Sequence, residues 1–320
     1  MAPLTLAVAV EDTRPDLSAI AAGADVAIRY ATPAELPDAI DGADALLVWA
    51  FTAGGVADAW PRAAALRWMH VSSAGVDRVL TPQVVASDVV VTNVRGVLDD
   101  AIAEYVLGLV LAFAKDLPGT LRRQGERRWE HRPTERLRGA RALVVGPGAI
   151  GRAIGSLLGG VGMGVDAVAR SRRDGDATFA AVHGQADLGA VIGDYHYVIV
   201  AAPLTDGTRG MLDAGAIAAM APDARLINVA RGPIVDEEAL TAALLRGDIA
   251  GAALDVFHDE PLPAEHPLWR CPNVIISPHM AGDFVGWRDS LLGVFLDNFA
   301  RFRSGRPLLN VVRKELGFVV

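Results

Sequence analysis

The sequence predicts an α/β protein of two domains built on parallel sheets. Two observations carry that prediction. Short apolar runs alternate with helix-period stretches along the whole chain, the pattern of strands joined by crossover helices. Near the middle, a glycine-rich turn, Gly146-x-Gly148-x-x-Gly151, sits between such a run and a helical pattern. At 320 residues there is room for two ordinary cores, and 52% hydrophobic with 21% charged residues is globular composition.

In the first hundred residues the strands are "LTLAVAV", "ALLVWA" and "VVVTNV". The opening run has no basic lead-in and ends at Glu11 and Asp12, so it reads as a first strand and not as a signal peptide. A helix follows from about Ala101. Its apolar part, "AEYVLGLVLAFAK" (Ala103 to Lys115), starts beside Glu104 and is too short to span a bilayer; it reads as a buried or interface helix. The arginine-rich "RRQGERRWEHRPTERLRG" then reads as solvated surface or as an anchor for a partner subunit.

From Arg141 a second series begins, with strands "ALVVG", "VDAVAR", "YVIVAAP", "ARLINVA", "GAALDV" and "VIISPH". Strands buried on both faces of a parallel sheet read as such continuous apolar runs. Near the end, "WRDSLLGVFLDNFARFRSG" puts Leu291, Leu292, Phe295, Leu296 and Phe299 on one helix face, and "LLNVV" (Leu308 to Val312) resembles a terminal strand.

Charge excludes some functions. The net charge is -8 and basic residues are scattered, so nothing favours nucleic acid. The single cysteine, Cys271, cannot close an internal disulfide, and no Cys/His spacing suits a metal. Both fit a reducing cytoplasm.

The motif "ALVVGPGAIGRAIG" carries the clearest chemistry. Without Cβ atoms, backbone can approach a pyrophosphate, and a helix N-terminus favours its charge. Gly146, Pro147, Gly148, Ala149, Ile150 and Gly151 are the expected dinucleotide cradle. An acidic residue at the end of the next strand would bind the adenosine ribose. Here "VARSRRDGD" offers Ala169 and then Arg170, Ser171, Arg172 and Arg173. Guanidiniums bind a 2′-phosphate that a carboxylate repels. NADP is therefore preferred and NAD remains possible, with Asp174 and Asp176 opposing the signal.

Three further residues sit just past strand ends: Arg231 in "LINVARGPIVDEEAL", Glu260 in "DVFHDEPLP" and His279 in "ISPHMAG". Each alone is ordinary: a surface charge, a surface carboxylate, a loop histidine. Together they occupy the edge where open α/β sheets bind ligands.

These motifs, with "AAPLTDGT" (Ala201 to Thr208), resemble the D-isomer-specific 2-hydroxyacid dehydrogenase family in order and spacing over nearly the whole chain. The basic cofactor loop is most similar to the glyoxylate/hydroxypyruvate reductase group. The resemblance implies that Arg231 grips the substrate's carboxylate and 2-oxo group and polarises the carbonyl. It implies that His279 is the general acid and base, oriented by Glu260, which favours the charged imidazole. It places Ala202, Pro203 and Thr208 over the cofactor, and Ala230, Asp255 and Gly282 beside the nicotinamide. "VSSAGVDRV" matches a loop whose amides hold the substrate carboxylate, giving Ala74, Gly75 and Val76; the alternative there is a plain glycine turn. Asn93 and Glu104 read as structural.

The implied architecture is a flavodoxin-like substrate domain, residues 1–99 with 286–320, and a Rossmann-type domain, residues 100–285, with the active site in the cleft between them. The implied reaction is reduction of a small 2-oxo acid to the D-2-hydroxy acid by a homodimer. A glutamate at 260, where formate dehydrogenases have glutamine, argues against that activity. The absence of a matching regulatory domain after the last strand argues against the longer phosphoglycerate dehydrogenases. A nucleotide-sensing protein like the related corepressors could keep the same motifs, as could a dehydrogenase of an unusual oxo acid. Substrate selectivity is expected to rest on "WAFTAGG" (Trp49 to Gly55), including Phe51, and on Trp287 or Trp129.

Overall fold

A computed structural model describes residues 3–21, 25–50 and 55–319. The chain divides into two units, one of residues 1–97 with 285–320, the other of residues 98–284. The first therefore closes only with the C-terminal segment.

In the first unit a five-stranded parallel sheet runs in the order β2-β1-β3-β4-β5. Its strands are β1 (Leu4–Ala9), β2 (Val26–Ala31), β3 (Ala45–Val48), β4 (Trp68–Val71) and β5 (Val90–Thr92). This is the flavodoxin-like order. Strand period sorts the core into two layers. Leu6, Val8 and Leu47 face one side, where they cluster with Trp68, Phe295 and Phe299. Ala7, Ala9, Leu46, Val48 and Met69 face the other. The helix Trp287–Arg303 covers the first layer. It buries Leu291, Phe295 and Phe299 as its spacing predicts, and also Asn298.

"LLNVV" is not a strand. Only Val311 makes an isolated antiparallel bridge, to Thr92. Side chains take over the ladder's role: Asn298 Oδ1 accepts from Leu309 N at 2.7 Å, and Asn298 Nδ2 donates to Leu309 O at 3.0 Å.

The second unit is an eight-stranded sheet, ordered β13-β12-β11-β10-β6-β7-β9-β8. Its strands are β6 (Arg141–Val145), β7 (Gly164–Ala169), β8 (Arg173–Asp174), β9 (Ala181–Gly184), β10 (Tyr197–Val200), β11 (Arg225–Asn228), β12 (Gly251–Leu254) and β13 (Val274–Ile276). Setting aside the short antiparallel β8, this is the Rossmann order extended by one strand. The arginine-rich stretch is not wholly irregular: Arg122 and Arg123 end a helix, Leu117–Gly125. The helix Asp99–Ala114 buries Ile102, Val106 and Val110, while Leu111, Leu117, Leu121 and Trp129 stand exposed. Among the described residues no helix is long and apolar enough to cross a membrane, and no His/Cys/Asp/Glu group suits a metal ion.

Candidate active site

The expected dinucleotide cradle lies where β6 turns into the helix Ala149–Gly160. Gly146 has φ of 100°, and a Cβ there would lie 2.6 Å from Ala202 Cα. A Cβ on Gly151 would overlap the Gly146 carbonyl. Both glycines are demanded by the protein's own packing. Gly148 is different: its added Cβ meets nothing within 4 Å, and no side chain caps the helix that starts after it. Space and amide donors coincide at Gly148, which is what a pyrophosphate needs. Ala202 packs beside this turn. Further along the same loop, Thr208 Oγ1 donates to Pro203 O at 2.6 Å and so folds the segment on itself.

Beyond β7, Arg170, Ser171 and Arg172 are exposed, and among the described residues no ion pair engages either arginine. Of the two acids that opposed the phosphate reading, Asp174 is exposed on β8 and Asp176 is occupied. Asp176 pairs with Arg152 at 2.8 Å and accepts from the Thr178 and Phe179 amides, which holds its carboxyl well below the usual range.

Arg231, Glu260 and His279 follow β11, β12 and β13, three neighbouring parallel strands. They therefore emerge along one stretch of sheet edge. Asn228, almost wholly buried at the end of β11, shapes the first turn: its Oδ1 accepts from Ala230 N and its Nδ2 donates to Arg231 O. Arg231 Nη1 donates to Ala230 O at 2.7 Å. A Cβ on Gly232 would overlap the Phe257 carbonyl, so this turn lies directly against the loop carrying Glu260.

Glu260 Oε1 accepts from Phe257 N at 3.1 Å, and Oε2 lies 2.9 Å from His279 Nδ1. Both side chains are about four-fifths buried. His279 has φ of 53°, a conformation rarely adopted by a non-glycine residue. Asp255 holds it there. Its buried carboxylate accepts from Ser277 Oγ (2.6 Å), Met280 N (3.0 Å) and Ala281 N (2.9 Å), bracketing the histidine on both sides. Gly282 follows, against Leu98 and Ile102.

Sequence reasoning did not single out Asn228 or Ser277, nor Asp255 as the anchor of the histidine turn. The available signal was a polar residue ending an otherwise apolar strand.

In the first unit, a bend at Ser72, Ser73 and Ala74 follows β4 and leads into Gly75 and Val76. Among the described residues none of their three amides donates to a carbonyl. Trp49 and Trp287 line one groove with Ser72, Glu11, Asp12 and Arg288. Phe51 lies outside the described residues.

Residues 107–281 match the family model described as "D-isomer specific 2-hydroxyacid dehydrogenase, NAD binding domain". The chain belongs to the D-isomer-specific 2-hydroxyacid dehydrogenases. As a member of that family it is an NAD(P)-dependent oxidoreductase acting on small 2-hydroxy or 2-oxo acids. A glyoxylate reductase of Thermofilum pendens is 33% identical over 270 residues, 82% of this dehydrogenase and 78% of its own length. Among solved structures, a D-isomer specific 2-hydroxyacid dehydrogenase from Xanthobacter autotrophicus Py2, in complex with NADPH and MES, superposes with a TM-score of 0.83. It is 31% identical and covers 99% of this chain and 100% of its own. An NADPH-dependent glyoxylate/hydroxypyruvate reductase from Sinorhizobium meliloti, in complex with NADP and sulfate, gives 0.82 at 27% identity, with 99% and 100% covered.

Proposed function

We propose that this dehydrogenase reduces a small 2-oxo acid of the glyoxylate or hydroxypyruvate type to the D-2-hydroxy acid, with NADPH preferred over NADH. The observation that carries the mechanism is the 2.9 Å contact between His279 Nδ1 and Glu260 Oε2. With Nδ1 committed to the carboxylate, the proton exchanged with substrate is carried at Nε2. The carboxylate stabilises the imidazolium that donates it. Arg231 clamps the oxo acid and draws electron density toward the carbonyl oxygen. Ala74, Gly75 and Val76 offer amides to the carboxylate, a reading supported by the absence of carbonyl acceptors for them.

The bound dihydronicotinamide supplies the hydride. Gly146 to Gly151 would hold its pyrophosphate, and Ala202, Pro203 and Thr208 would flank it. Ala230, Asp255 and Gly282 would lie beside the nicotinamide, Asp255 chiefly by fixing the 277–281 turn. Arg170, Ser171 and Arg172 would take the 2′-phosphate. NADP and NADPH stand in the names of the Sinorhizobium and Xanthobacter structures, which supports that choice. We assign the enzyme to the cytoplasm. We also assign it a homodimeric state through exposed Leu111, Leu117, Leu121 and Trp129, which sedimentation would test.

The deciding experiment is steady-state oxidation of NADPH and NADH with glyoxylate, hydroxypyruvate, pyruvate and phenylpyruvate, repeated with His279→Ala and Arg231→Ala. Turnover of the small acids, lost by orders of magnitude in His279→Ala with cofactor binding retained, is expected. Arg231→Ala should impair both substrate binding and turnover. Unchanged turnover in His279→Ala removes that residue from the mechanism, and no turnover with any of the four acids overturns the substrate class.

A further inference from the structure

We infer that the C-terminal tail sets the direction of the substrate-loop amides through two asparagines, Asn310 and Asn93, which act as positioning residues. The inference deepens, and rests on, the reading of Ala74–Val76 as the carboxylate-binding loop.

The geometry begins at the loop. Asn93 Nδ2 donates to Ala74 O at 2.7 Å, and Ser73 Oγ donates to Gly75 O at 2.6 Å. In a trans peptide the carbonyl and the next residue's N–H point in opposite directions. Pulling the Ala74 carbonyl toward Asn93 therefore turns the Gly75 N–H away from it. Pulling the Gly75 carbonyl toward Ser73 turns the Val76 N–H in the same manner. These two hydrogen bonds fix two of the donors offered to the anion.

Asn93 is in turn held by the tail. It is almost wholly buried, and its Oδ1 accepts from Arg95 N at 3.1 Å, so both ends of its carboxamide are engaged. Its own N–H donates to Asn310 O at 3.2 Å. Asn310 Nδ2 donates back to Asn93 O (3.3 Å) and to Arg95 O (2.9 Å). Asn310 adopts a φ of 54°, which directs its side chain and carbonyl to the same segment. On either side, Asn298 grips Leu309, and Val312 N donates to Val91 O at 2.8 Å. The tail thus reaches the loop through a polar chain, from Asn310 to the backbone of 93–95, then through the Asn93 carboxamide to Ala74; farther along the tail, Val319 O accepts from Arg95 Nη1 at 2.9 Å.

A separate tail anchor provides the control. Lys314 Nζ donates to the carbonyls of Val84 and Ser87, away from this chain of contacts. Lys314→Met loosens the tail without touching the relay.

The test uses the full-length enzyme with Asn310→Gly, Asn93→Asp and Lys314→Met. Glycine accepts the left-handed φ and removes only the carboxamide. Aspartate is isosteric but sets an oxygen against Ala74 O. Each variant is read by KM for glyoxylate, KM for NADPH, kcat, and hydrogen–deuterium exchange over residues 93–95, where the Asn93 and Arg95 amides are themselves donors in the relay. The relay predicts faster exchange and a glyoxylate KM about tenfold higher in Asn310→Gly and Asn93→Asp, the size of one weakened hydrogen bond to an anion. It predicts unchanged kcat and NADPH KM in both, and no effect on the glyoxylate KM in Lys314→Met. Should Asn93→Asp fail to fold, Asn310→Gly decides alone. Unchanged exchange in Asn310→Gly overturns the relay, as does an equal KM rise in Lys314→Met, which would mark a bulk effect of the tail. Faster exchange with an unchanged glyoxylate KM supports the relay and removes the carboxylate reading of the loop instead.

Discussion

Lowering the pH should weaken the first unit through His70, a residue that takes no part in the chemistry. His70 lies on β4, fully buried, beside both Trp68 and Phe295. Its Nδ1 is 2.8 Å from Thr92 Oγ1, which also accepts from Trp68 Nε1 at 2.9 Å. Indole and hydroxyl are both uncharged, so neither partner stabilises an imidazolium, and the buried imidazole is neutral. Burial pushes its pKa from 6.5 down to about 3. The unfolded chain takes up a proton below pH 6.5 while the folded chain does not until about pH 3. Stability is therefore full above 6.5 and falls between those values. The slope is about 1.4 kcal/mol per pH unit, so about 2 kcal/mol is lost by pH 5. Urea unfolding followed by tryptophan fluorescence reads it, since Trp68 stacks on Phe295 at 5.5 Å. His70→Phe keeps a flat ring and abolishes the titration. The gap between wild type and His70→Phe should shift in favour of the variant by about 2 kcal/mol between pH 7 and pH 5. A gap that stays flat over that range would refute a buried neutral histidine.

Three further outcomes are expected. Arg170→Asp combined with Arg172→Ala should raise the KM for NADPH by at least about tenfold more than that for NADH, the worth of a lost charge-assisted hydrogen bond; an equal loss for both would end the 2′-phosphate reading. Gly148→Val should abolish binding of both cofactors, read by nucleotide fluorescence, while the thermal midpoint stays put, because a Cβ at that position meets no protein atom within 4 Å; retained binding would show the space is not the cofactor's. Asp255→Asn, which puts an amide where three donors converge, should lower kcat about tenfold or more and speed backbone exchange at 277–281, as expected for a broken buried network; full activity would show that the histidine turn holds itself.

Much of the second unit was legible because its strands are continuous apolar runs ending at chemically distinctive residues. β6 and β10 to β13 stand where "ALVVG", "YVIVAAP", "ARLINVA", "GAALDV" and "VIISPH" place them. β4 was not legible. His70 interrupts "WMHV", and what makes it a core residue is Thr92, 22 positions away. β2 was missed because Arg29 and its half-exposed neighbours give an edge strand little apolar signal. "LLNVV" has strand composition, yet Asn298 takes both backbone polar groups of Leu309, and the stretch is left with one isolated bridge, Val311 to Thr92. The glycine turn, Arg231, Glu260 and His279 were readable as motifs. Their supports were not, since Asn228 and Asp255 look like ordinary polar residues until the folded turns show what they hold. Asp176 stood in the sequence as an argument against a phosphate. Its pairing with Arg152, 24 residues away, answers that argument for Asp176 and leaves Asp174 exposed next to Arg173.

The first unit is assembled from both ends of the chain, with Phe295 and Phe299 in its core. This inverts the usual order of events on the ribosome, where the N-terminal domain finishes first. Here residues 98–284 can complete their sheet while the earlier-made strands still wait for the helix Trp287–Arg303 to emerge. During that wait the apolar face of Leu6, Leu47 and Trp68 is uncovered, the state in which a nascent chain is most exposed to chaperones and to aggregation. A chain that stalls before its last helix would thus carry a finished nucleotide fold and an unfinished substrate fold.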